Sequence, residues 1–276
     1  VYTRDGVELR TFEGLHLHLS DVAAAFSDPD LLAFVSRHAG ETGPLLSAHF
    51  TGNVGPATYG GSKGELARAA PGAGDRVLAG LREHAPDGYD VAMECTHHGP
   101  TRVGAPSLFV EVGSAKPQWR DPDAAGAVAR AVLDLAGTEP AAERTLVGFG
   151  GGHYAPRFSR IASETDWAVG HVVADWGLAE LADADVEDGD VIEQVFERSG
   201  ATRAVIDGDH PAVEGLIEDR GYDVTSETWV RETSGVSLDL VARLEEALSE
   251  IDAGLRLGAP ARAAGPTDAF ETVSPD

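Results

Sequence analysis

Short apolar runs alternate with longer stripes of helical period along most of this chain. Val7 and Leu9, then Leu15, Leu17 and Leu19, alternate with polar residues around Asp5-Gly6 and Glu13-Gly14, which predicts short antiparallel strands over 1–19. Runs of strand length follow at Leu31 to Val35, Leu45 to Phe50, Asp90 to Cys95, Leu108 to Val112, Thr145 to Phe149 and Ala168 to Ala174. Between them lie a Gly-rich loop over 51–62 and a helical pattern over 65–84. Asp121-Pro122 opens a further helix, since Asp suits the N-cap and Pro the first helical position. Val128, Val132 and Leu135 stripe that helix and Gly137 closes it. Asp190 with Glu193 reads as a capping box for a helix to Ser199 and Gly200, and Val241, Leu244, Leu248 and Ile251 stripe a last helix. Strands alternating with helices imply a three-layer αβα fold around a mainly parallel or mixed sheet. One catalytic domain is expected over 1–252, followed from Ala253 by an Ala/Gly/Pro-rich, flexible tail over 253–276.

In such sheets ligands bind beyond the carboxyl ends of strands, and the histidine-bearing groups of this chain are expected there. The densest is Glu94-Cys95-Thr96-His97-His98-Gly99-Pro100-Thr101, after the run Tyr89 to Met93. Neighbours on a strand face opposite ways, so both His97 and His98 reach one ligand only if the segment turns. Imidazole and carboxylate donors are the usual ligands of a catalytic zinc, and Glu111 lies in the next strand-like run. The plainer alternative is a pair of loop histidines satisfied by backbone carbonyls. Gly148-Phe149-Gly150-Gly151-Gly152-His153-Tyr154 ends a second run, and its glycines let the backbone approach a ligand. It lacks the Lys-Ser/Thr of a phosphate loop. Ser36-Arg37-His38 and His49-Phe50-Thr51-Gly52-Asn53 add an arginine and two imidazoles. Ser114, Lys116 and Trp119 offer a hydroxyl, a cation and a flat face for a base or ribose. His171 serves either a ligand or the core, while His16, His18, His84 and His210 read as structural. A Cys95 thiolate beside His97 is the rival to metal chemistry, but strand alternation turns Cys95 away from Glu94 and makes it a packed small hydrophobe.

Composition changes the picture in two ways. A lone cysteine excludes an internal disulfide and any Cys-rich zinc module. The net charge is −25, from 46 Asp and Glu against 21 basic residues, of which only Lys63 and Lys116 are lysines. Such acidity fits a cationic partner or a high-salt cytoplasm, and arginine retained over lysine favours the second. With no bilayer-length apolar run and no signal sequence, a cytoplasmic protein without membrane contact is expected.

Taken in order, these segments resemble the archaeal and plant type of D-aminoacyl-tRNA deacylase over about residues 20–225. The matching pieces are 36–38, His49 with Gly52-Asn53, Glu94 to Thr101, Phe109 to Ser114 with Trp119, Gly150 to Phe158, and Gly170-His171. The resemblance implies a fold of the phosphorylase and peptidyl-tRNA hydrolase group. It also implies zinc, two ions per chain being expected at most, and hydrolysis of the ester joining a D-amino acid to the 3′ end of tRNA. On that reading Glu94, His97, His98 and His153 are catalytic, and His97, His98, His153 and Glu111 hold metal. Substrate and tRNA then meet Arg37, His38, His49, Asn53, Gly150, Gly151, Gly152, Lys116, Trp119, Arg157 and His171. The family's first strand and helix are missing, so the chain reads as a fragment, and a monomer is expected. A metal-independent nucleoside phosphorylase or hydrolase and a non-catalytic tRNA-binding module are the competing readings.

Overall fold

A computed structural model describes residues 1–183 and 191–251. In chain order the elements are β1 (Tyr2–Arg4), β2 (Val7–Leu9), β3 (Leu32–Arg37), β4 (Leu45–His49), β5 (Gly52–Asn53), β6 (Glu65–Leu66), α1 (Pro71–His84), β7 (Asp90–Met93), β8 (Ser107–Gly113), α2 (Lys116–Trp119) and α3 (Pro122–Leu133). They continue with β9 (Thr145–Gly150), α4 (Pro156–Glu164), β10 (Ala168–Val173), α5 (Asp175–Asp183), α6 (Val191–Ser199), β11 (Arg203–Asp207), α7 (Pro211–Glu218), β12 (Asp223–Thr225), α8 (Glu227–Thr233) and α9 (Leu238–Ile251).

The predicted hairpin forms, with Asp5 and Gly6 both at positive φ as a two-residue turn of this kind requires. The expected strand at Leu15 to Leu19 is instead a 3₁₀ turn over His16–His18. Asp121 caps α3 as expected, its carboxylate accepting from the backbone N–H groups of Asp123 and Ala124. The helix expected over 65–84 starts later, because Glu65 and Leu66 pair with Asn53 and Gly52 and Pro71 supplies the first turn. The Asp190 cap and the 253–276 tail lie outside the described residues.

Two four-stranded sheets carry the fold. The order β10-β9-β11-β12 is parallel throughout. In the order β3-β8-β4-β7, β8 runs parallel to β3 but antiparallel to β4. The expectation that all functional groups gather at one set of carboxyl strand ends therefore needs correction: strands of the mixed sheet end in both directions. The two sheets meet where the chain leaves β7, as Cys95 N–H donates to the His153 carbonyl (2.8 Å) and Thr96 N–H to that of Val172 (2.7 Å).

Strand alternation sorts the mixed sheet into two unlike faces. Leu46, Ala48, Met93, Leu108, Val110 and Val112 point into the main core, which α1, α3 and α4 cover and which continues under the parallel sheet through Leu146, Val169 and Val172. A second core under α5, α6 and α7 covers the far face of the parallel sheet through Val147, Phe149, Val173, Val195 and Phe196. The far face of the mixed sheet carries Ser36, Ser47, His49, Phe109 and Glu111 instead. Among the described residues no helix is long and apolar enough to cross a membrane.

Candidate active site

The site grows on that polar face. Ser47 stands opposite Glu111 and His49 opposite Phe109 in the antiparallel β4–β8 register, and Ser36 lies opposite Glu111 on the other side. His38, just beyond β3, and Glu94, just beyond β7, complete the row. Glu94, His49, Glu111 and His38 are all buried. His98, at φ 45°, turns the chain, so His97 and His98 lie together with His49 and ring centroids 4.2 to 4.8 Å apart. His153 enters from the parallel sheet past Gly150 and Gly151, whose positive φ values allow the sharp exit from β9.

Glu94 is the hub. One carboxylate oxygen lies 3.2 Å from His38 Nδ1, and the other accepts from His153 Nε2–H at 2.8 Å and lies 3.8 Å from His97 Nε2. Burial opposes its charge, but His153 and His38 outweigh burial and hold the carboxyl well below the usual range. Glu111 faces His38 Nδ1 at 3.6 Å and His49 Nε2 at 3.8 Å. For His38 burial again disfavours charge, yet Glu111 and Glu94 together raise its pKa to about 11. The same carboxylates hold His49 above its ordinary value against complete burial.

His97 and His98 go the other way. Burial, then the neighbouring His49, push His97 well below its ordinary value and His98 down to about 3, so both are neutral. Their tautomers follow from their partners, since a carbonyl can only accept. Nδ1–H of His49 donates to the Phe50 carbonyl (3.2 Å), that of His97 to Cys95 (2.8 Å) and that of His98 to Gly99 (2.6 Å). All three imidazoles thus have Nδ1 fixed by backbone, the arrangement that orients metal-ligating histidines; Nε2 is unprotonated on His97 and His98, while on His49 it faces Glu111, which favours a proton there. One donor atom from each of His49, His97 and His98 lies within 4.8 Å of the others, and the same holds for His38, Glu94 and His153 and for Cys95, His97 and His153. Four buried side-chain atoms lack a hydrogen-bond partner among the described residues: Ser47 Oγ, Ser107 Oγ, His49 Nε2 and Glu94 Oε1. All stand on this polar face or its extension. The unpartnered His49 Nε2 belongs to the three-imidazole group and fits a cation there, while Glu94 Oε1 belongs to the group with His38 and His153 and lies 3.2 Å from His38 Nδ1.

The other expected residues are distributed as follows. His38 and His49 belong to the centre and not to a substrate rim. His171 is corrected to a core histidine: it is fully buried, accepts from Thr96 Oγ1 (2.9 Å), donates to the Ala67 carbonyl (2.9 Å) and is pushed by burial to about 4. Asn53 spends its amide hydrogens on the Gly60 and Ser62 carbonyls, holding the 51–62 loop. Gly151 N–H is taken by Asp175 (3.0 Å), so only part of the glycine loop is open to a ligand. Arg157 turns toward Asp207 and Glu227 and donates to the Ile206 carbonyl. Arg37 lies 4.9 Å over the Trp119 ring, whose Nε1–H donates to the His38 carbonyl, and Lys116 is exposed nearby.

Three residues near the site carried little sequence signal. His16 meets Ser36 Oγ at 3.1 Å and packs 5.3 Å from Phe109, although no chemical group adjoins it in the chain. Tyr154 reaches His38 Nε2 at 3.0 Å, a partner 116 residues away. Trp176, about half exposed, interacts with the Cys95 thiol from α5. Only the adjacency of Tyr154 to His153 marked any of them in advance.

The D-aminoacyl-tRNA deacylase family model matches residues 25–225. The chain is 58% identical over 260 residues to the D-aminoacyl-tRNA deacylase of Natronomonas pharaonis, covering 94% of this chain and 59% of that protein. The enzyme of Haloarcula marismortui is 58% identical over 269 residues with the same coverage, and that of Methanosphaerula palustris 35% over 284 residues, with 100% of this chain and 63% of the relative covered. The chain thus spans about three fifths of the length of these curated relatives. Its fold matches the crystal structure of a conserved protein of unknown function with a TM-score of 0.72 at 29% identity, over 80% of this chain and 81% of that one. A family match across the whole site region, joined to relatives of this identity, shows that the chain belongs to the D-aminoacyl-tRNA deacylase family.

Proposed function

We propose that this chain carries the catalytic domain of a zinc-dependent D-aminoacyl-tRNA deacylase, a cytoplasmic, monomeric enzyme of translation quality control. It hydrolyses the ester between a D-amino acid and the 3′ end of tRNA, freeing both. The observation that carries the reading is the convergence of His49, His97 and His98, one ligand atom from each within 4.8 Å of the others, with the buried His49 Nε2 lacking a hydrogen-bond partner among the described residues. His49, His97 and His98 would hold zinc, with backbone carbonyls fixing each ring. Bound there, zinc would supply Lewis acidity and would lower the pKa of a water toward roughly 7.

The chain's own groups do the rest. Glu94 and His153 form the proton-handling pair, joined at 2.8 Å where His153 is about one-third exposed. Glu111 sits behind His38 and His49 and compensates their charge. Cys95 takes no part as a nucleophile, because burial, reinforced by Glu94, pushes its thiol up to about 12. Arg37, Lys116 and Trp119 lie together beyond His38, where tRNA backbone and a base would meet cations and a flat ring.

The test is release of radiolabelled D-tyrosine from D-Tyr-tRNA by purified chain in concentrated KCl, with L-Tyr-tRNA as control. Hydrolysis of the D-ester only, abolished by chelation and restored by zinc, is expected. No hydrolysis after zinc is restored overturns the activity, and full hydrolysis in metal-stripped protein overturns the role of zinc.

A further inference from the structure

A line of polar groups leads out of the site at its edge, away from the histidines placed around zinc. Glu94 and Glu111 face His38 Nδ1, and His38 Nε2 contacts the Tyr154 hydroxyl at 3.0 Å. The tyrosine ring is clamped edge-on against His38 (centroids 5.6 Å, 74°) and His153 (4.9 Å, 84°). His38 is buried and Tyr154 half-buried, so the hydroxyl is where this line reaches solvent. Among the described residues it makes no other hydrogen bond, which leaves one position unfilled.

Gly40 packs closely against this pair. A Cβ on Gly40 would fall 2.8 Å from His38 Nε2 and 2.8 Å from Tyr154 Oη, too close for any side chain. Nor is the segment that carries His38 and Gly40 a slack loop. His38 N–H donates to the Val112 carbonyl (3.0 Å), Gly40 N–H to that of Ser114 (3.1 Å), and Trp119 Nε1–H to that of His38 (2.8 Å). The tyrosine is thus held rigid, with the second hydrogen-bond position of its hydroxyl unfilled among the described residues.

We propose that Tyr154 is a catalytic residue of the ester cleavage. Its hydroxyl, 3.0 Å from His38 Nε2, donates to the ester oxygen on which negative charge builds, and His38 is the positioning residue that holds it. No proton changes owner in this role; the hydroxyl stabilises charge as a preorganised donor. The inference rests on the deacylase reading, because it assigns the hydroxyl to that reaction's oxygen.

The experiment compares the parent chain, Tyr154→Phe and Gly40→Ala, all zinc-loaded, on D-Tyr-tRNA. It also compares their affinity for a phosphonate analogue of the tetrahedral intermediate and for a non-hydrolysable amide analogue of the substrate. For Tyr154→Phe we expect kcat lower by about 10- to 100-fold with KM within about twofold. Phosphonate affinity should fall in parallel, while amide affinity and zinc content stay the same. Gly40→Ala, which crowds the same hydroxyl, should move kcat and phosphonate affinity in the same direction. A Tyr154→Phe protein as fast as an active parent, or one changed only in KM, overturns the inference alone. A parent that neither hydrolyses D-Tyr-tRNA nor binds the phosphonate overturns the deacylase reading and this inference with it.

Discussion

Glu94 and Cys95 are adjacent in the chain and differ in burial partners, although both touch His153, the carboxylate at Nε2 (2.8 Å) and the thiol at Nδ1 (3.6 Å). Strand alternation sends the carboxylate to the polar face and the thiol into the main core, where it is fully buried beside Ala48 and Met93. Cys95→Ala should therefore keep deacylase activity within about threefold, and native protein should resist alkylation that proceeds once it is unfolded. Rapid labelling of folded protein, or loss of turnover in the alanine variant, would contradict this placement. His97→Ala removes a free Nε2 from the centre, so zinc content by mass spectrometry should fall together with activity, by about 10-fold or more. His49 makes a sharper case. Its protonated form is favoured only because Glu111 and Glu94 face it, and a cation on Nε2 would take over what the proton does there. Zinc uptake at pH 7 should release about one proton, read as a buffer-dependent heat of binding, and a heat independent of buffer would remove His49 from the ligands. At this scale the sequence could name the side chains but not their neighbours: His38 and His49 look peripheral in the chain because Glu94 and Glu111, which they face, come from strands far away in sequence.

Among the elements, α4 and α8 are tied by one carboxylate. Glu227 accepts from Arg160 in two bonds of 2.9 and 2.8 Å, from Arg231 at 3.1 and 3.0 Å, and lies 3.3 Å from Arg157. Arg160 first, then Arg231, lowers its pKa to about 2 from 4.5. A depressed carboxylate stabilises the fold above its ordinary pKa and loses that contribution as pH falls toward the folded value. The relevant window runs from about 4.5 down to about 2. Glu227→Gln should cost about 1 kcal/mol at pH 7, a modest figure because the partners are exposed. The gap between parent and variant should narrow as thermal melts are taken from pH 5 to pH 3; a constant gap would mean that the charge does nothing. Neither helix was anticipated, and the reason is physical. α4 begins after Ala155 at φ 38° with no side-chain cap, so none of the usual start signals precedes Pro156. By contrast Asp121-Pro122 carried its cap in two letters. β11 and β12 were missed because Arg203–Asp207 and Asp223–Thr225 are too short and charged to stand out, yet parallel pairing with β9 makes β11 a central strand. What patterning conveyed was the buried strands; that the first sheet is mixed depends on β8 pairing with β4 across more than 50 residues, which no local pattern records.

For the molecule as a whole, charge would set the terms on which the proposed tRNA substrate is met. The chain carries −25, whereas proteins that bind tRNA through a basic surface lose affinity as salt displaces their phosphate contacts. Here long-range repulsion opposes encounter, and it is screened within about 10 Å at 0.1 M and about 3 Å at 1 M salt. The nearby cations, Arg37 and Lys116, contribute attraction only at short range. Two opposing salt effects therefore compete, and numbers decide between them. Two phosphate contacts weaken binding by about 10- to 100-fold per tenfold rise in salt, on a slope near −0.9 per contact for duplex nucleic acid. Repulsion from a net charge of this size, together with the self-repulsion that loosens the fold itself, acts the other way. The relatives from Natronomonas pharaonis and Haloarcula marismortui support a halophilic archaeal source for this chain. We expect Tm to rise by about 5–10 °C between 0.1 and 2 M KCl, equivalent to about 2–3 kcal/mol for a domain of this size. Over the same range kcat/KM for D-Tyr-tRNA should rise or stay level. Because folding and encounter both respond to salt, the decisive measurement is KM at temperatures far below Tm, where all the protein is folded at either salt concentration. A KM that climbs steeply with salt there would show that a local cluster of phosphate contacts, larger than Arg37 and Lys116, governs how tRNA is held.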